Sequence, residues 1–167
     1  MESNKKYRVG DFARIAGFIT AALVLSVLTV PPALAVLRPD FVALALIYLA
    51  RFHPHGIGVF TAFVAGLLVD VITFGTLGQH AIAKVVLVYL MLKVFSKAHS
   101  SSAKVQNFLI FVLLAVNALV IFMVHLIVQR NAGSFALWLS PVTGLIVWTV
   151  AVYLRNRVEI YRHGSIG

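Results

Sequence analysis

Six apolar runs, separated by short polar gaps, follow one another along the chain. A helix needs about 20 predominantly apolar residues to cross the hydrocarbon core of a bilayer, and most of these runs approach that length. The pattern therefore predicts an all-α integral membrane protein, with six transmembrane helices in one bundle and a single membrane domain over residues 1–167. The predicted spans cover residues of about 12–30, 39–52, 56–74, 78–92, 105–128 and 135–154.

Lysine and arginine lie mainly in alternate gaps between the runs. Eleven of the 14 positive residues fall before the first run or in every second gap after it. Arg38 and Arg130 lie in the intervening gaps, and Lys84 lies inside the fourth run. Because cytoplasmic loops of membrane proteins are enriched in Lys and Arg, this asymmetry predicts that both termini lie in the cytoplasm. The eleven residues are Lys5, Lys6, Arg8, Arg14, Arg51, Lys93, Lys97, Lys104, Arg155, Arg157 and Arg162.

The composition excludes an ordinary soluble domain. Hydrophobic residues make up 61% and charged residues 11% of the chain, and the mean hydropathy is +0.99. Such a chain has too few polar groups to cover its surface in water. The net charge of +9 is explained by loop ends that face anionic headgroups, so we expect membrane lipids and not nucleic acid as partners.

The first run imitates a cleavable signal peptide. Basic residues precede an apolar stretch from Ile15 to Val30, and the triplet Ala33-Leu34-Ala35 resembles a cleavage site. However, the stretch is long for the apolar region of a signal peptide, and five further runs follow it. We therefore expect an uncleaved first span.

The second run is short and begins with Arg38-Pro39-Asp40. Pro39 is tolerated in a first helical turn, and Asp40 is favourable near a helix N-terminus. From residue 39 to residue 52 a helix rises about 21 Å, which is less than a hydrocarbon core of about 30 Å. We expect neighbouring helices to shield this span, with Arg38 and Arg51 reaching the headgroups from its ends as the alternative.

Small residues line one face of the third run. Gly58, Ala62 and Gly66 are spaced four residues apart, a pattern that lets a neighbouring backbone come close. Asp70 follows Gly66 by four residues, so it continues nearly the same face into the bundle. A carboxylate within a membrane is costly and usually has a partner or a function.

Two polar side chains in later runs are candidate partners. Lys84 lies in the fourth run, which Gly78 opens, and its long stem covers the gap to Asp70 on the adjacent helix. An ion pair between them either determines how the two helices meet, the interpretation we favour, or belongs to a proton or substrate path. Asn117 lies near the centre of the fifth run, where its amide should bond another helix.

The chain offers few groups for catalysis. It has no cysteine, and no common hydrolase, metalloprotease or nucleotide-binding motif is found in it. His53-Pro54-His55 has two potential metal ligands without a nearby carboxylate, so a loop at headgroup level is the preferred interpretation. We therefore predict a protein that is not an enzyme, with no catalytic residues, no cofactor and no metal site.

Three short motifs point to a family. Arg38-Pro39-Asp40 opens the second run, Gly66 to Asp70 closes the third, and Thr76-Leu77-Gly78 opens the fourth. In these motifs, in size and in its six-run layout, the chain resembles the rod shape-determining protein MreD. The resemblance is strongest between Arg38 and Leu92, and elsewhere it consists of layout and length.

This resemblance implies a role in peptidoglycan synthesis during lateral wall elongation, and so in cell shape, within the bacterial inner membrane. Proteins of the family associate with MreC, a single-span protein with a periplasmic domain. Through MreC they connect to MreB filaments and to a RodA-like glycan polymerase with a class B penicillin-binding transpeptidase. The resemblance also implies the fold of the S-components, the substrate-binding subunits of energy-coupling factor transporters. It carries over no catalytic residue, and Lys84 is not part of the family pattern.

Two alternatives to a scaffold role stay open. One is a small-molecule-binding, S-component-like subunit of a transporter, in which the ridge of Ala13, Gly17 and Ala21 would dock a coupling helix. The predicted outer loops at residues 74–78 and 129–134 supply few polar groups for such a ligand. The other is the handling of lipids or lipid-linked precursors by the basic cytoplasmic face, which depends on charge alone.

Overall fold

The computed structural model describes residues 9–28, 37–54, 56–95, 102–129 and 136–164. These residues form six helices joined by loops and include no strand. One helix occupies each predicted run, which confirms the all-helical fold class. The triplet Ala33-Leu34-Ala35, His55 and Arg130 lie outside the described residues. The helices are α1 (Val9–Val27), α2 (Phe41–Phe52), α3 (Val59–Ile72), α4 (Gln79–Phe95), α5 (Ala103–Gln129) and α6 (Ala136–Gly164).

The shortest helix, α2, lies at the centre of the structure. Its 12 residues rise about 18 Å, and it contacts each of the other five helices. The shielding expected for this short helix is therefore observed. Most of its side chains are buried in the core of the protein. The buried residues are Val42, Ala43, Leu44, Leu46, Ile47, Leu49 and Ala50.

The other helices surround α2 in an incomplete ring. In the described residues α1 contacts α3, α3 contacts α4, α4 contacts α5, and α5 contacts α6, whereas α1 and α6 do not contact each other. Neighbours in the chain are thus mostly neighbours in space, as is usual for helices joined by short loops. The ring leaves one side of α2 uncovered, between α1 and α6.

The closest helix contact joins α3 and α4 at Gly66. A Cβ atom at this position would lie 2.5 Å from Ala81 Cα and 2.6 Å from the His80 carbonyl oxygen, so only glycine fits without displacing the α4 backbone. Ala62 is fully buried, but a Cβ at Gly58 would have no neighbour within 4 Å. The predicted ridge of small residues is therefore packed at Ala62 and Gly66 and open at Gly58.

Side-chain contacts place basic residues of several helices at one end of the molecule. Arg51, near the end of α2, donates a hydrogen bond to Gln106 at the start of α5. Near the end of α6, the Arg155 guanidinium lies 3.4 Å from the centre of the Phe52 ring. Ile15, near the start of α1, touches the loop that follows α2. We call this region the basic end, defined by Arg14, Arg51, Lys104 and Arg155.

Two helices are long and apolar enough by themselves to cross a membrane, at residues Ala103–Val128 and Trp138–Val158. Shorter apolar helices cover Ala13–Val27, Phe41–Phe52 and Val59–Ile72. Many large apolar side chains outside the core are exposed, as expected where lipid and not water surrounds a protein. The number of membrane crossings stays a prediction.

The contact at Gly66 predicts a position-specific effect of added volume. Gly66→Ala should lower the free energy of unfolding by about 1–3 kcal/mol, because the new methyl group forces the α3 and α4 backbones apart. Gly17→Ala is the matched control, since a Cβ there meets nothing within 4 Å and alanine favours a helix. Unfolding of the purified chain in detergent micelles measures both variants; equal stability of the two would contradict the close contact.

Candidate functional site

Three polar side chains from three parts of the chain meet inside the bundle. Lys84 of α4 is fully buried and Asn117 of α5 is 3% exposed. The Lys84 ammonium donates hydrogen bonds to the Asp40 carboxylate and, at 3.1 Å, to the Asn117 side-chain oxygen. The Asn117 amide nitrogen in turn donates to Asp40 Oδ2 at 3.0 Å. We call Asp40, Lys84 and Asn117 the buried polar cluster.

Asp40 belongs to this cluster because of its position at the start of α2. It is the N-cap residue of that helix, and its Oδ1 accepts a hydrogen bond of 2.9 Å from the Ala43 backbone N–H. An aspartate at this position is stabilised by the unpaired N–H groups and the dipole of the helix. Its second oxygen remains available to Lys84 and Asn117. One carboxylate therefore begins the central helix and neutralises a charge on α4.

The buried polar cluster is internally satisfied. A buried ammonium is tolerated only where an opposite charge and further hydrogen bonds replace its water, and Lys84 has both. In the described residues, every buried side-chain nitrogen or oxygen atom has a hydrogen-bond partner. The arrangement is chemically suited to holding α2, α4 and α5 in one relative position.

Asp70 does not pair with Lys84, and this corrects the pairing expected from the sequence. Its carboxylate accepts hydrogen bonds from the backbone N–H groups of Gly78 at 2.8 Å, His80 at 2.9 Å and Ala81 at 3.3 Å. The His80 ring nitrogen Nδ1 lies 2.8 Å from the same carboxylate. The first N–H groups of a helix have no partner within it, so Asp70 caps α4 from α3 and is saturated without the lysine.

Short loops favour contacts between helices that are adjacent in the chain, and this is why the sequence favours Asp70 as the partner of Lys84. Lys84 bonds instead to a residue 44 positions earlier, which the central position of α2 brings next to α4. Nothing in the local pattern shows that α2 packs on α4. The expectation for Asn117 is confirmed, since its amide bonds groups outside its own helix.

Gly78 has a backbone role in the cap of α4. Its φ of +95° lies in the left-handed region that glycine adopts at little cost, and its N–H points at Asp70. Two other predicted residues, Arg38 and Pro39, lie just before α2. Arg38 makes a long hydrogen bond of 3.4 Å to the Leu25 carbonyl, and Pro39 is half-buried beside it.

A second polar contact, which was not predicted from the sequence, joins α4 and α5. Gln79 is buried, and its side-chain oxygen lies 3.3 Å from Nδ1 of His125. No residue spacing indicates this pairing, because the two residues are 46 positions apart. Within the described ranges, no three histidine or acidic side chains are grouped as a metal ion requires.

A comparison with known families accounts for nearly the whole chain. The family model described as "rod shape-determining protein MreD" matches residues 6–158. The chain belongs to the MreD family. The buried polar cluster and the Asp70 cap therefore lie in a shape-determining membrane protein and not in an enzyme. The family resemblance predicted from the sequence is confirmed.

A curated relative supports the same assignment. The rod shape-determining protein MreD of Haemophilus influenzae (strain ATCC 51907 / DSM 11121 / KW20 / Rd) is 28% identical over 145 residues, which cover 87% of this chain and 90% of that protein. No solved structure matches the chain significantly.

Two double-mutant cycles test the partner of Lys84. Asp40→Asn keeps a residue that caps helices well but leaves a buried ammonium without its counter-charge, and should cost about 3–5 kcal/mol of unfolding free energy. Adding Lys84→Met removes that ammonium, so the two changes should show a coupling energy above about 1 kcal/mol. Reversible unfolding in mixed micelles measures these values.

The control cycle combines Asp70→Asn with Lys84→Met, whose side chains share no hydrogen-bond partner. Here the two effects should add to within about 0.5 kcal/mol. Strong coupling in this control cycle, together with additivity in the cycle of Asp40 and Lys84, would make Asp70 the counter-charge and refute the observed arrangement.

Proposed function

We propose that the chain is a non-enzymatic integral membrane subunit of the bacterial rod-shape complex, which directs peptidoglycan synthesis during elongation. The observation that carries this proposal is the family match over residues 6–158. The internal chemistry agrees with a scaffold, because the charged groups of the buried polar cluster and the Asp70 cap are used to join helices. A bundle whose helices are joined in this way presents a defined surface to its partners.

The proposed topology has six crossings of the inner membrane with both termini in the cytoplasm. It is supported by the basic end, where contacts gather the start of α1, the end of α2, the start of α5 and the end of α6. That alternation is expected if successive helices cross in opposite directions. Positive residues at one end of such a bundle favour the cytoplasmic side.

The proposed partner is an MreC-like protein with a single span and an external domain. Through that protein the chain would act with MreB filaments, a RodA-like glycan polymerase and a class B penicillin-binding transpeptidase. The exposed apolar faces of α1, α3 and α6 offer surfaces for a partner span. The likeness in fold to transporter S-components stays a prediction from the resemblance.

Cysteine labelling tests the topology, because the chain has no cysteine of its own. A thiol placed by Leu77→Cys, at an exposed position between α3 and α4, should react with a membrane-impermeant maleimide added outside the inner membrane. Ser102→Cys, exposed before α5, should react only after the membrane is permeabilised. Val88→Cys, at a fully buried position, is the control and should stay unlabelled. Reaction of Ser102→Cys from outside would overturn the topology.

Capture from the native cell tests the function. The tagged chain, extracted in mild detergent, should retain a single-span protein with a large external domain, and depletion of the chain should alter cell shape. Mass spectrometry identifies the retained proteins. Recovery of an ATPase module in place of that partner would instead support a transporter subunit, and ligand-dependent thermal stabilisation would do the same.

A further inference from the structure

The turn between α3 and α4, residues 73–78, lies at the end of the molecule opposite the basic end. The α3 helix begins just after the end of α2 that carries Arg51, and α4 has Lys93 in its last turn. The two helices have 14 and 17 residues, which rise about 21 Å and 25 Å. Both lengths are less than a hydrocarbon core of about 30 Å. If the basic end lies at the inner surface of the membrane, this turn does not reach beyond the outer surface.

The backbone N–H groups around this turn are bonded within the protein. The Asp70 carboxylate accepts some of them, and backbone carbonyl oxygens accept the others. A turn in water can leave its N–H groups to the solvent, whereas an unpaired N–H group surrounded by lipid is costly. This pairing suits surroundings that are poor in water. The bonded N–H groups are those of Thr73, Phe74, Gly75, Gly78, Gln79, His80 and Ala81.

The side chains of the turn are uncharged, and two of them are large, apolar and exposed. Phe74 is 96% exposed and Leu77 is 70% exposed. The two other connections that are predicted on the outer side contain Arg38 and Arg130. A fully exposed phenyl ring is unfavourable in water and favourable at the boundary between headgroups and acyl chains. The chemistry of this turn therefore matches that boundary.

The backbone at Phe74 is strained. Its φ of +51° lies in the left-handed region, which a bulky residue rarely adopts. The Gly75 N–H bonds the Asp70 carbonyl oxygen at 3.2 Å, and in helix ends closed in this way glycine usually occupies the position of Phe74. A phenylalanine here strains the backbone and gains almost no packing within the protein. Since strain of this kind is concentrated at functional positions, the ring has a role outside the protein.

We propose that the turn between α3 and α4 inserts into the outer leaflet and anchors this side of the bundle to lipid. The Phe74 ring lies among the upper parts of the acyl chains, and the backbone of the turn lies at their boundary with the headgroups. Exposed apolar side chains at membrane surfaces enter about 5–10 Å into this boundary region. Lipid beside α3 and α4 adapts to these short helices by local thinning of the bilayer.

The depth of the turn favours lipid over an external protein domain as the partner of Phe74. Such a domain lies in the water beyond the headgroups, and the short α3 and α4 helices keep the ring below that level. Water-soluble reagents still reach the headgroup boundary, so a thiol at Leu77 remains accessible from outside. The insertion depends on the topology in the proposed function but not on the identity of the protein partner.

Spin labelling of the chain in phosphatidylcholine vesicles tests the insertion, because the chain has no cysteine of its own. A nitroxide on Phe74→Cys collides with oxygen, which is concentrated among acyl chains, or with a water-soluble nickel chelate. Electron paramagnetic resonance measures both accessibilities. The ratio of oxygen to nickel accessibility at residue 74 should be several times that at Ser102→Cys, which is exposed before α5. Leu119→Cys, 39% exposed on α5, is the acyl-chain reference and should give a higher ratio still.

A second label isolates the contribution of the ring. The nitroxide is placed on Leu77→Cys, and Phe74 is either kept or changed by Phe74→Gly. Glycine adopts the same backbone conformation at little cost, so the turn keeps its fold and loses only the ring. The ratio at residue 77 should fall toward the value at Ser102→Cys. Phe74→Leu, which keeps an apolar side chain, is the matched control and should retain most of the ratio. Circular dichroism checks that each variant is folded.

Bilayer thickness gives a further measurement on the same samples. In phosphatidylcholine with longer acyl chains, a hairpin of fixed length lies deeper below the outer surface. The ratio at Phe74→Cys should therefore rise, whereas the ratio at Ser102→Cys should not change.

Three results would overturn the insertion. They are a ratio at residue 74 equal to that at Ser102→Cys, an unchanged ratio at residue 77 in Phe74→Gly, and a label at residue 74 that neither probe reaches. The last result would mean that a second copy of the chain covers the ring. Reaction of Ser102→Cys with maleimide from outside would instead reject the proposed topology. A water-exposed label at residue 74 with the expected maleimide pattern would reject the insertion alone.

Discussion

The charge of a fully buried lysine requires a counter-charge inside the protein. The residues that meet this requirement set the relative positions of three helices in the interior of the bundle. Lys84 lies among apolar side chains of α4, and Asp40 and Asn117 are its partners. Because Asp40 is also the N-cap of α2, the pairing places the start of the central helix against α4 and α5. A shift of α2 along its axis would move Asp40 away from Lys84 and Asn117.

A close backbone contact and a buried carboxylate together hold α3 against α4. Gly66 lets the two backbones meet, and the Asp70 carboxylate satisfies N–H groups of the first turn of α4. The two features depend on each other, since only closely packed helices bring a carboxylate of one to the N-terminus of the next. The bundle therefore has two carboxylates that serve helix N-termini, one within its own segment and one across a helix contact.

The two ends of the molecule differ in chemistry. Polar groups far from the basic end are paired within the protein and join helices. At the basic end, arginines lie on aromatic rings, and Arg51 also donates a hydrogen bond to Gln106 of α5. The first arrangement connects α2, α4 and α5 through buried hydrogen bonds. The second joins the end of α2 to the end of α6 and to the start of α5.

The amino-acid sequence by itself determined the helices. Each apolar run is too long to remain exposed as a loop, and prolines or glycines end most of the runs. It also determined the family, through the motifs around Asp40, Asp70 and Gly78, and the buried position of Asn117. Only the tertiary structure decided which charges meet. The partner of Lys84 is 44 residues away and on a helix that is not its neighbour in the chain. Periodicity describes the faces of one helix and contains no information on which distant helix covers them.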